Sequence, residues 1–131
     1  MNTGHDGSMS TIHANRATDA LLRLENMITM SDAGVPGKVI RAQIAGGVDL
    51  IVQVERMRDG VRRVREIIEI IGMENEDVKT QTLFEFSFKE EDKDGHLIGE
   101  FIPKEGAIPT FMEKARYFGL DQKLAQIMGL S

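Results

Sequence analysis

The sequence has 131 residues, 41% hydrophobic and 28% charged, which is enough for one modest core and too few for two independent ones. A net charge of -5 disfavours a protein that tracks nucleic-acid phosphates, because that affinity comes from Lys and Arg, and no nucleic-acid partner is expected. Without cysteine there is no disulfide, thiolate nucleophile or cysteine-based zinc site, and three histidines with one tyrosine leave little acid–base chemistry.

No run approaches the roughly twenty apolar residues of a membrane-spanning helix, and the opening residues lack the basic start and apolar middle of a secretory signal. The expectation is a soluble, cytoplasmic chain. Residues 1–7 are polar and glycine-rich, and residues 9–12 turn β-compatible, which predicts a loop entering a short buried strand. From 16 to 30, Ala17, Ala20, Leu21, Leu24, Met27 and Ile28 recur at helical spacing, with Asn15 or Thr18 placed to cap the first turn. Gly34 and Pro36 mark a loop, after which Val39, Ile40, Ile44 and Val48 give a second helix its apolar face, ended by Gly46 and Gly47.

Residues 50–57 and 61–71 are β-rich runs joined through Arg58-Asp59-Gly60, whose Asp-Gly step supplies the positive φ of a tight hairpin. The second run also satisfies a helical pattern, but its isoleucines and the preceding turn favour a strand. In 78–88, Val78, Thr80, Thr82, Phe84, Phe86 and Phe88 fall on one face and Lys79, Gln81, Glu85 and Ser87 on the other, predicting a half-buried strand. An acidic turn at 90–95 leads into a further strand at 96–102. Two short helical patterns, 109–118 and 121–128, separate at Gly119 and predict a small terminal cap.

The stretch from Gly4 to Asn15, GHDGSMSTIHAN, resembles the histidine box of the type II and type IV secretion ATPases, close to GHxGSxxTxHA with a helix directly after it. Gly4, His5, Gly7, Ser8, Thr11, His13 and Ala14 all occupy the pattern's positions. The resemblance continues through ALLRLENM and through IRAQIAGGVDLIVQVERMRDGVRRV, which is similar to the CpaF branch that drives Tad/Flp pilus assembly, and reaches the tail at Gly99, Phe101, Gly106, Pro109, Phe111 and Gly119. It implies an α/β fold: residues 1–102 as the C-terminal part of a RecA-like P-loop ATPase domain, with a strand meander and hairpins, and 103–131 as a small helical C-terminal cap. It also implies ATP and Mg²⁺ as cofactors of the intact protein, a homo-hexamer, and inner-membrane pilus or secretion platform proteins as partners, at the cytoplasmic face of the inner membrane.

The chemistry of the box is readable without the family. Glycines at Gly4 and Gly7 let backbone approach an anion closely, and Ser8, Thr11 and the His13 imidazole add donors beside it. The resemblance assigns His5 and His13 to sensing the γ-phosphate and coupling it to subunit movement. A P-loop enzyme also needs G-x-x-x-x-G-K-[ST], and no such run is present; Lys38 follows Gly37 without the loop before it. The acidic strand that precedes the box in the family is missing as well. The expectation is therefore a split, truncated or mis-started piece that binds no nucleotide tightly and hydrolyses none alone; the alternative is a non-catalytic module that binds ATPase subunits or a platform protein.

Other features have plainer readings. His5, Asp6 and His13 are too few for zinc, and no metal site is assigned. Glu90, Asp92, Asp94 and Gly95 imitate a calcium loop, but the bidentate glutamate position falls on Phe101, so a solvated acidic turn is expected. Arg56, Arg58, Arg62, Arg63 and Arg65 gather on one hairpin balanced by Glu55, Asp59 and Glu66, while Arg41 in the second helix is the candidate subunit contact.

Overall fold

The computed structural model describes residues 7–130, and the chain divides into two compact units. One comprises the chain up to Ile51 together with Ile70–Thr80; the other comprises Val52–Glu69 and Gln81–Ser131. The elements in chain order are α1 (Ala17–Ser31), α2 (Gly37–Gly47), β1 (Leu50–Arg56), β2 (Arg62–Glu74), β3 (Asp77–Glu91), β4 (Leu97–Pro103), α3 (Met112–Tyr117) and α4 (Asp121–Ile127). The strands form one sheet in the order β1-β2-β3-β4, each hydrogen-bonded to its neighbour in sequence, so the molecule is mixed α/β with a meander.

In the first unit α1 and α2 pack together, and the apolar stripes read from spacing go inside only in part. Met27 is 52% and Val39 40% exposed, and Val48 is the extended C-cap of α2, outside the helix whose face it was expected to share. Ala17 and Ala20 of α1, Ile40 and Ile44 of α2 and Ile70 of β2 are the unit's buried apolar residues. α1 starts differently from expectation. Its N-cap is Arg16, in extended backbone, and no side chain caps it. Asn15 lies one residue before the cap and Thr18 already lies inside the helix, so neither occupies the position from which an oxygen reaches the free amides. The expected strand at 9–12 does not form. Residues 7–14 are neither helix nor strand, and Met9 is 99% exposed. An extended segment becomes a strand only by sharing a ladder, and the sheet pairs β1 to β4 with one another and not with this segment.

In the second unit both hairpin connections use the same three-residue device. Gly60 donates to the Met57 carbonyl (2.8 Å) and Met57 to Val61 (3.0 Å); Gly95 donates to Asp92 (3.1 Å) and Asp92 to His96 (2.9 Å). Gly60 and Gly95 have φ of +83° and +85°, the left-handed residue that closes such a loop, whereas Asp59 and Asp94 stay at negative φ. The Asp-Gly pairs thus mark the turns as read, but the glycine alone carries the positive φ. β3 and β4 are antiparallel, with Phe84 opposite Pro103, Phe86 opposite Phe101, and a register shift between Phe88 and Glu90.

The face assigned to β3 needs correcting. Leu83, on the face read as polar, is the most buried residue of the strand, while Phe88 is 51% exposed. Both faces are covered along the middle of the strand, so the alternation does not divide core from solvent. Ile68, Leu83, Pro109 and Met128 are buried in this unit; α3 and α4 pack against each other, and Gly119 between them has φ +72°.

Candidate functional site

Of the residues singled out at the start of the chain, Gly4 and His5 lie outside the described residues. Gly7, Ser8, Thr11 and His13 are all exposed on the irregular segment that runs into α1. Their side chains form no ion pair or hydrogen bond among the described residues, so two hydroxyls and one imidazole are presented to solvent within seven residues. Such donors suit a phosphate or another anion. Nothing beside them supplies the lysine-bearing loop that cradles a nucleotide's phosphates, and the same holds for Mg²⁺, which needs carboxylate or hydroxyl ligands around that loop. These residues fit the sensing of a phosphate held elsewhere and do not fit holding one.

Behind that segment, α1 is tied to its neighbours through Arg41. Its Nη1 donates to Glu25 Oε1 of α1 (2.7 Å) and its Nε to the Glu76 carbonyl in the β2–β3 turn (2.6 Å), so one guanidinium on α2 fastens α1 and a hairpin end. A Cβ at Gly37 would come within 3.1 Å of Arg41 Nη1 and 3.2 Å of Glu25 Oε1, and glycine there leaves room for the pair. A guanidinium suits this use because its planar fork serves two acceptors at once.

Two buried carboxylates in the second unit were not identified from sequence. Asp59 is 1% exposed at its side chain: Oδ1 accepts from Val61 N and Arg63 Nη1, and Oδ2 accepts from Arg63 Nη2 (2.8 Å) and Leu97 N (2.9 Å). The Arg63 hydrogen bonds first, and then the Leu97 amide, hold its carboxyl far below the usual carboxylate range. Arg63 also donates to the Leu97 carbonyl and lies over the Phe86 ring. Glu69 is 2% exposed and accepts from Gln81 Nε2 (2.7 Å), from Thr110 N and from the Thr110 hydroxyl, while Gln81 also donates to the Ile108 carbonyl. The signal for Glu69 was a lone charge in the middle of IIEII, which a buried strand tolerates only with a full set of donors. These groups fix loops to the sheet and have no open coordination.

The remaining arginines divide. Arg58 pairs with Glu91 over Phe88, Arg65 meets Glu55 and the Phe86 carbonyl, and Arg56 and Arg62 stay exposed. At the β3–β4 turn Asp92, Asp94 and His96 each bring one ligand atom within 4.8 Å of the others. Asp92 Oδ1, however, already accepts the amides of Asp94 (2.9 Å) and His96 (2.8 Å), so this carboxylate serves as the scaffold of the turn.

Comparison with known sequences places this arrangement. The family described as Type II/IV secretion system protein matches residues 1–91. Conjugal transfer protein TrbB of Rhizobium radiobacter is 44% identical over 80 residues, covering 61% of this chain and 23% of that protein. A probable conjugal transfer protein TrbB of Sinorhizobium fredii is 46% identical over 69 residues, or 53% of this chain and 20% of the relative. A putative conjugal transfer protein of Mycobacterium tuberculosis is 34% identical over 67 residues, 51% of this chain and 18% of its own length. The chain thus spans about a fifth of the length of these relatives. Because the match takes in more than two thirds of its residues, the chain belongs to the type II/IV secretion system protein family.

Proposed function

We propose that this chain is the nucleotide-sensing and force-passing part of an ATP-driven secretion motor, the later portion of a RecA-like ATPase domain. The family match over residues 1–91 carries this reading. In it, Gly4, His5, Gly7, Ser8, Thr11 and His13 feel the γ-phosphate of an ATP–Mg²⁺ bound by another part of the motor, and α1, which follows directly, moves with them. Arg41 then does two things: it ties α1 to α2, and its remaining donors face a neighbouring subunit of a homo-hexamer. The motor works at the cytoplasmic face of the inner membrane against platform proteins.

The relatives' names favour conjugal transfer as the process served. Tad/Flp pilus assembly is the second reading, supported by the tail residues Gly99, Phe101, Gly106, Pro109, Phe111 and Gly119. A chimera tests the proposal: this chain replaces the matching fifth of the Rhizobium radiobacter relative. The expected result is Mg²⁺-dependent ATP hydrolysis by the chimera and none by the 131-residue chain alone. His13→Ala should lower the chimera's kcat about tenfold with little change in KM, since coupling and not binding is removed. Hydrolysis by the isolated chain, or a His13→Ala chimera of full activity, would sink the reading.

A further inference from the structure

The first unit carries a cleft of ≈ 250 Å³ between α1, α2 and the start of β3. That is below the roughly 300–1,000 Å³ of small-molecule sites and suits one long side chain. Leu21, Ile44 and Val78 supply apolar wall, while Glu25, Arg41 and Asp77 supply the charge. Glu25 and Arg41 neutralise each other at 2.7 Å, and Arg41 is further held by the Glu76 carbonyl. Asp77 is different: its exposed carboxylate has no ion pair or hydrogen bond among the described residues. The lining therefore carries two acids and one base, a net charge of -1 located on Asp77.

We propose that this cleft receives a lysine or arginine side chain carried by a separate protein chain. A methylene stem would lie along Leu21, Ile44 and Val78 and bring a cation to Asp77, the arrangement long basic side chains adopt where apolar surface borders a charge. A partner carboxylate would meet the uncompensated charge of Asp77, because the charge of Arg41 is already offset by Glu25. This inference does not use the phosphate-sensing residues, but it competes with the reading of Arg41 as a contact to a neighbouring subunit, since Arg41 lines the same cleft.

The test is an NMR titration of the ¹⁵N-labelled 131-residue chain with three capped pentapeptides, alanine throughout except for a central lysine, norleucine or glutamate. The lysine peptide should shift the amides of Leu22, Ile44, Asp77 and Val78 saturably. The norleucine peptide should bind roughly two- to fivefold more weakly, as expected for losing one partly exposed ion pair, and the glutamate peptide more weakly still. Asp77→Asn, an exposed and nearly isosteric change, should leave the melting temperature unchanged and erase the lysine preference. Equal shifts from all three peptides, shifts elsewhere only, or an Asp77→Asn chain that still prefers lysine would overturn the proposal. Broadening of these same amides with protein concentration alone, lost in Asp77→Asn, would assign the cleft to a second copy and overturn it as well.

Discussion

Asp59 and Glu69 are both nearly fully buried, yet they respond to different challenges. Asp59 is held ionised by Arg63 and two backbone amides, with its carboxyl displaced well below the ordinary range; the Asp92 carboxyl moves the same way through the His96 amide. A carboxyl whose folded pKa is depressed stabilises the fold fully above its unfolded value, about pH 4, and loses that contribution as the pH falls further. The melting temperature of Asp59→Asn should therefore lie below that of the wild type at neutral pH, and the gap should narrow steadily below about pH 4. A gap that is constant from pH 7 to strongly acidic solution would show that Asp59 acts through shape alone. Glu69 is the test of satisfaction: Glu69→Leu removes the acceptor and strands the Gln81 and Thr110 donors, which should cost about 1–3 kcal/mol in urea unfolding. Glu69→Leu as stable as wild type would mean that water reaches those donors.

At the scale of elements, the β1–β2 and β3–β4 hairpins depend on one left-handed glycine each, while the β2–β3 turn places Asn75 at φ +57°. Gly60→Ala and Gly95→Ala should each destabilise by about 1–2 kcal/mol, the cost of forcing a Cβ into that conformation, and neither position has a crowding neighbour to confuse the result beyond a Glu91 contact at 3.9 Å. Gly99 tests space instead: a Cβ there would run into the Ser87 carbonyl oxygen and the Phe86 ring, so Gly99→Ala should cost about 1–3 kcal/mol and disturb the β3–β4 ladder seen by amide exchange. These elements were legible because each announces itself locally. Apolar residues recur at helical spacing through α1 and α2, α2 ends at Gly47, and an Asp-Gly step marks the β1–β2 and β3–β4 hairpins, though not the β2–β3 turn at Asn75-Glu76. What could not be read was anything fixed by a distant partner: Asp59 looked like a turn residue until Leu97 and Arg63 arrived, and Leu83 looked solvent-facing because alternation cannot tell which of two covered faces is deeper. The 9–12 segment had the composition of a strand, and composition says nothing about whether a neighbour exists to complete it. In the candidate site, the hydroxyls and imidazole of Ser8, Thr11 and His13 were found by pattern, whereas the grip of Arg41 on Glu25 and Glu76 spans sixteen and thirty-five residues and left no local trace.

For the molecule as a whole, β1 is an outer strand of the sheet and exposes Val52 and Val54, at 53% and 52%. A strand of this kind is a template for pairing with another chain. Sedimentation of the isolated protein should show concentration-dependent association, and Val54→Lys should weaken it without lowering the melting temperature. A monodisperse monomer at all concentrations would show that the edge is protected in solution. This association is separate from the Asp77 cleft and should survive Asp77→Asn unchanged.

The irregular register between Phe88 and Glu90 leaves Lys89 without a residue opposite it, since Gly99 faces Phe88 and Ile98 already faces Glu90. Deleting Lys89 would even out the ladder without turning anything over, because Phe88 would still face Gly99 and its new neighbour Glu90 would still face Ile98, on the same sides of the sheet as now. The Asp92 carboxylate would keep the amides it organises, since those bonds lie within the turn itself. One supernumerary residue therefore governs curvature and not facing: it bends β3 and tightens its twist on the way to the far turn, and a strand without it would run straighter to the same side.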